Sequence, residues 1–194
     1  MRIQRRKIWG LWLVATLLGY AIGVPVAIAV TAAVGGLVSN GGETDILVGL
    51  CVGGSMGFTQ AFVLRPYVRL AVAWIVGGAV GFGLPFTVVV AFHESLVGPI
   101  ENQAGWVILT ALIAGAAAGA RQYFALKARV RKAGHWLWMS TVTGAALAAT
   151  FLASHEPPLA LLLGVAVYGL VGGGFIAHLL RSDGADPGSA TKPG

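Results

Sequence analysis

Apolar residues run along this chain in stretches too long and too unbroken for the alternation of a half-buried strand or the one-sided stripe of a surface helix. Six stretches qualify, at about 8–32, 46–64, 70–92, 104–124, 135–153 and 158–180. Each supplies the roughly 20 mostly apolar residues that a helix needs to cross a bilayer. None holds Lys, Arg, Asp or Glu near its middle. The pattern predicts an all-α integral membrane protein with six transmembrane helices. Arg5, Arg6 and Lys7 ahead of the first stretch, with Ala27-Ile28-Ala29 beyond it, have the outline of a secretory leader. The apolar run is longer than the 7–15 residues or so of a leader's hydrophobic region, so a span is expected there.

The stretches repeat. Trp12, Trp74 and Trp136 stand 62 residues apart, and the same offset links Gly53 to Gly115, Gly57 to Gly119, Gln60 to Gln122, Phe62 to Phe124 and Arg69 to Arg131. His93-Glu94 recurs 62 later as His155-Glu156. Gly169, Gly173, Leu180 and Arg181 restore the pattern 54 after the second copy, with Ile176 in place of the glutamine and His178 in place of the phenylalanine. The unit is a helix hairpin: an odd helix that opens on Trp, then an even helix reading Gly-x-x-x-Gly-x-x-Gln-x-Phe-x-Leu-Arg/Lys. Three copies, at about 8–69, 70–131 and 132–181, make one transmembrane domain over 1–181, followed by a polar tail at 182–194 that is expected to be disordered. Two spans per copy send every copy into the membrane from the same side, so the repeats are parallel and predict a bundle with pseudo-threefold symmetry.

Charge adds orientation. Only 10% of residues are charged, where a soluble domain carries roughly 25%. All thirteen basic residues fall before the first span, between the second and third, around the end of the fourth, or after the sixth. With Asp183 and Asp186 they leave +11 on that side, against −5 from Glu43, Asp45, Glu94, Glu101 and Glu156 on the other. The positive-inside rule then puts both termini on the cytoplasmic side of a cell membrane. The net +6 is thus a topology signal, and nucleic acid is not an expected partner. Anionic lipid at the cytoplasmic face is. Cys51, the single cysteine, permits no internal disulfide and reads as a small buried thiol.

Gly53/Gly57, Gly115/Gly119 and Gly169/Gly173 are Gly-x-x-x-Gly pairs on the three even helices. Close backbone approach through small residues holds helices together in lipid, so these glycines are expected at helix-packing contacts, within the chain or between copies. Trp12-Thr16-Gly19, Trp74-Gly78-Gly81 and Trp136-Ser140-Thr143 form matching stripes on the odd helices, each with an aromatic at the inner interface and small residues deeper. Gln60 and Gln122 follow seven residues after the first glycine of their pairs and share that face. An amide in hydrocarbon needs a partner, which makes them either interhelical hydrogen bonds or a ligand contact near the axis. His93, Glu94, His155 and Glu156 sit at outer helix ends. Polar helix ends suffice to explain them, and a divalent-metal site is the alternative; the first copy has Thr31-Ala32 at that register. Gly53-Gly54-Ser55-Met56-Gly57 matches a nucleophile elbow in letters but falls mid-span, without the strand and turn that chemistry needs. Pro25 and Pro85 lie inside odd helices and are expected to kink them.

The string Gly-x-x-x-Gly-x-x-Gln-x-Phe-x-Leu-Arg, followed by basic residues and a Trp opening the next span, resembles a pattern in uncharacterised small bacterial polytopic membrane proteins, over residues 8–181. That resemblance implies a polytopic fold and carries no activity and no functional residues. The three-hairpin plan is also similar to that of mitochondrial carriers, whose Pro-x-Asp/Glu-x-x-Lys/Arg motif is missing from every odd helix. With no ionisable group in mid-membrane, the expectation is a non-catalytic scaffold or accessory subunit without cofactor, partnered by another membrane protein or a second copy. A small-solute transporter or channel using the face around Gln60 and Gln122 is the alternative.

Overall fold

A long apolar run in hydrocarbon has no water to satisfy its backbone, so it must bond within itself, as a helix does. The computed structural model describes residues 2–34, 41–66, 72–83, 103–128, 130–153 and 157–182. Their regular structure is all helical. The six helices are α1 (Arg2–Val34), α2 (Gly41–Leu64), α3 (Val72–Gly83), α4 (Gln103–Leu126), α5 (Gly134–Ala153) and α6 (Pro157–Ser182). Lys7–Val34, Ile46–Leu64 and Leu162–Arg181 are long and apolar enough to cross a membrane, and Val72–Gly83 is a shorter apolar helix.

The helices overrun most of the apolar stretches that announce them. α1 takes in the basic segment from Arg2, which holds no helix breaker, and α2 starts at Gly41. α6 opens on Pro157, at the one turn of a helix where a missing N–H costs nothing. α1 runs unbroken through Pro25, which is exposed. Pro85 lies outside the described residues.

Within α1 the small and aromatic positions Trp12, Ala15, Thr16, Gly19, Gly23 and Ala27 are buried, while Leu11, Val14, Leu18, Ile22 and Val26 point away from the chain. Both faces are apolar. That is how a helix looks when protein covers one side and lipid the other. Phe58, Phe62, Phe124, Val142, Leu162 and Leu163 continue the outward apolar surface around the other helices.

α1 packs on α2 and α6, and α5 packs on α4 and α6. Glycine contacts supply the joints that α3 makes. A methyl added at Gly53 would strike the Gly78 carbonyl, and one at Gly57 would lie 3.0 Å from Ile75 Cα, so α2 meets α3 backbone to backbone. A methyl at Gly81 would strike Ala118, joining α3 to α4. Each helix therefore touches the next, and the sixth returns to the first. The larger buried cluster joins Trp12, Trp74 and Trp136 with Leu64, Leu126, Val130, Ala133, Ile176 and Leu179. A second cluster gathers Ala27, Val52, Met56, Val165 and Tyr168.

A buried tryptophan and glutamine centre

Trp12 lies well inside α1, Trp74 and Trp136 near the starts of α3 and α5, and the three rings converge. Trp12 and Trp74 meet edge to face with centroids 5.6 Å apart, Trp12 and Trp136 likewise at 5.9 Å, and Trp74 and Trp136 at 5.4 Å. These spacings lie in the favourable range for aromatic pairs. None of the three rings is more than 1% exposed. The three rings sit between helices. Trp9 and Trp138, both exposed, have the outward positions an interfacial belt requires.

A buried indole N–H needs an acceptor. Trp74 Nε1 donates to Gln60 Oε1 at 3.2 Å, and Trp136 Nε1 donates to Gln122 Oε1 at 2.8 Å. The two pairs have the same spacing of 14 residues. Gln60 Nε2 donates across to Thr16 Oγ1 at 3.0 Å, and the Thr16 hydroxyl donates to Trp12 O at 2.8 Å. The Tyr168 side chain, from α6, lies beside both glutamine side chains. Gln60 and Gln122 are each 1% exposed. Two buried atoms, Trp12 Nε1 and Ser140 Oγ, have no hydrogen-bond partner among the described residues.

The glycine pairs lie against tryptophan-bearing helices. Gly53 faces Gly78, Gly115 faces the Ser140 backbone, and Gly169 faces Leu13 and Thr16. One turn on, Gly57 faces Trp74 and Ile75, Gly119 faces Leu137 and Ser140, and Gly173 faces the Trp12 side chain with 2.9 Å to its Cδ1 for an added methyl. Gly78, Ser140 and Thr16 occupy one register position of the odd helices, as do Trp74, Trp136 and Trp12. Side-chain bonds to backbone add to these seams: Thr59 Oγ1 to Ala15 O at 2.7 Å, and Trp9 Nε1 to Leu170 O at 2.9 Å.

Tyr168 escaped the sequence reading. Its signal was the break in the repeat: the third copy loses its amide at Ile176 and carries a phenol eight residues earlier, on the same helix face. The shared Gln-to-Trp spacing of 14 was legible as well. His93, Glu94, His155 and Glu156 lie outside the described residues, among which no cluster of three metal-ligating side chains occurs. Ser55 sits inside α2, a helix, so its elbow-like string has no elbow. Cys51 is a free, half-buried thiol beside the second cluster.

Indole, amide, hydroxyl and phenol make up this centre. They are good donors and acceptors, and none is charged at its ordinary pKa near neutral pH. The class these observations define is an all-helical protein with three helices fit to cross a membrane. No protein-family model, no curated protein and no solved structure matches the chain.

Proposed function

We propose that this chain is a non-catalytic multi-pass membrane protein, a scaffold or accessory subunit, built as six spans in three parallel hairpins around a pseudo-threefold axis. Both termini face the cytoplasm, and partners are a membrane protein or a second copy. The observation that carries the reading is the closure of the polar centre: both glutamines are 1% exposed and their amides are engaged by Trp74, Trp136 and Thr16, beside Tyr168. Polar groups so used hold helices in register.

The threefold plan is supported by contacts that repeat with the sequence. Gly53 to Gly78, Gly115 to Ser140 and Gly169 to Thr16 are one contact carried around the ring. The two unpartnered atoms fit the same plan. Gln60 accepts from the tryptophan of the following odd helix and donates to the small residue of the preceding one. Carried to the third copy, that position is Ile176, the following tryptophan is Trp12, and the preceding small residue is Ser140. One lost amide accounts for both orphans.

Mild detergent purification, with identification of everything that stays bound, tests the scaffold reading. A stoichiometric membrane-protein partner or a defined homo-oligomer is expected, and a monomer with no partner overturns it. Thiol labelling of single cysteines placed at Ala128 and in the outer loops, in a Cys51→Ser background, tests the topology. Ala128 is expected to label only from the cytoplasmic side.

A small-solute transporter is the second reading, favoured by the meeting of both glutamines with Tyr168 inside the bundle. Under it, Gln60→Leu with Gln122→Leu abolishes an uptake phenotype in cells while the protein still folds.

A further inference from the structure

Repeats of one hairpin should carry the same kind of residue at the same register, so a charge that appears in one copy alone needs a reason. Arg121 is such a charge. Its counterparts are Thr59 in the first copy and, 54 residues on, Phe175 in the third. It lies inside α4, five residues before the helix ends at Leu126, and it is exposed. Five residues of helix rise about 7.5 Å, so on the membrane reading Arg121 lies about one and a half turns inside the inner end of α4. α3 is shaped to admit it: Gly77 faces the Arg121 Cβ, which an added methyl would approach to 3.1 Å. The first copy has Ala15 at that position, against Thr59. The larger side chain is thus met by the smaller neighbour.

The next turns of α4 add an aromatic and a second cation. Phe124 is exposed, and Lys127 Nζ stands 4.4 Å from its ring centroid and 5.9 Å from that of Tyr123. Val130 and Ala133 are buried in the core and anchor the turn into α5 through bonds from Val130 N to Leu126 O and from Trp136 N to Ala133 O. Arg131, between the anchors, is held outward and exposed. On the side of the sequence that holds the basic residues the only acids are Asp183 and Asp186, in the tail. A guanidinium is a site for an anion, and its fork of donors matches a phosphate oxygen pair.

We propose that the inner end of α4 is a binding site for the headgroup phosphate of an anionic phospholipid, with Arg121 and Lys127 as its cationic ligands and Phe124 beneath the glycerol and acyl chains. This rests on the membrane reading and goes beyond the general attraction of basic loops for acidic lipid, because it assigns one of the three sectors. The second sector has cations at both levels. The first offers Thr59 with Arg65, and the third Phe175 with Arg181.

The test is native mass spectrometry of the purified full chain titrated with phosphatidylglycerol or phosphatidylcholine. Arg121→Gln with Lys127→Gln is compared with Arg65→Gln with Arg181→Gln, which removes the same charge elsewhere. The first pair is expected to weaken phosphatidylglycerol binding roughly thirtyfold, at about 1 kcal/mol for each cation that meets the bound headgroup, and the control pair, outside that sector, is expected to weaken it less than about threefold. Equal losses in both pairs, or no loss in the first, overturn the site. So does complete displacement of the lipid by inorganic phosphate, which would assign a free anion instead. Resistance of the same samples to alkaline extraction from phosphatidylcholine vesicles reports membrane integration separately. Loss of that resistance defeats the membrane reading, while its retention beside a failed titration defeats the lipid site alone.

Discussion

Replacing Ile176 with glutamine should stabilise this protein, although it introduces a polar group at a position with 0% exposure. Trp12 Nε1 and Ser140 Oγ are buried without partners among the described residues, and the repeat register brings both toward the position of Ile176. The existing pairs set the geometry to be reproduced: 2.8 Å from Trp136 to Gln122, 3.2 Å from Trp74 to Gln60, and 3.0 Å from Gln60 to Thr16. Side-chain hydrogen bonds between membrane helices contribute about 0.6 kcal/mol on average. Two of them give about 1.2 kcal/mol, or roughly eightfold in the folded to unfolded ratio. Exchanging one apolar side chain for another of similar bulk has its own cost, below about 1.5 kcal/mol, so the comparison is with Ile176→Met. Equilibrium unfolding in mixed micelles, followed by tryptophan fluorescence, measures each variant. The gain of Ile176→Gln over Ile176→Met should fall by about half in a Trp12→Phe background, and again with Ser140→Ala. A gain indifferent to both backgrounds, or no gain over the methionine variant, would refute the reasoning.

Three further expectations follow from the packing. Gly53→Ala puts a methyl into the Gly78 carbonyl and should cost about 1–3 kcal/mol, whereas Gly54→Ala, with only Ala79 Cβ at 3.6 Å, should be nearly neutral in the same unfolding assay. Gln122→Leu leaves Trp136 Nε1 without its acceptor and should cost about 1–3 kcal/mol; a cycle with Trp136→Phe should return a coupling near 0.6 kcal/mol, and zero coupling denies the bond. An aqueous or headgroup-level quencher should reach Trp9 and Trp138 and spare Trp12, Trp74 and Trp136. In a Trp106→Phe background, Trp9→Phe with Trp138→Phe should therefore remove most of the quenchable emission, and strong residual quenching would mean that the central rings are open to solvent.

Much of the helical plan was legible because hydrocarbon leaves so few alternatives: apolar runs free of central charge become helices, and α4, α5 and α6 lie within two residues of where their runs place them. The glycine pairs were legible too, since small residues at i and i+4 mark where backbones approach. What pattern reading missed concerns partners. Trp12, Trp74 and Trp136 read as matching stripes with small residues, and nothing in the repeat itself pairs the three rings with one another, or Trp74 and Trp136 with Gln60 and Gln122. Tyr168 was hidden for a related reason. It meets the two glutamines from two turns away from the lost amide, and a repeat alignment compares like positions only.

The seam between α1 and α6 sets an order on biosynthesis. Trp9 bonds to Leu170 across 161 residues, and Gly173 closes over the Trp12 ring. The inner face of α1 thus stays uncovered until α6 has been made, and a fragment that stops before α6 leaves that flank open.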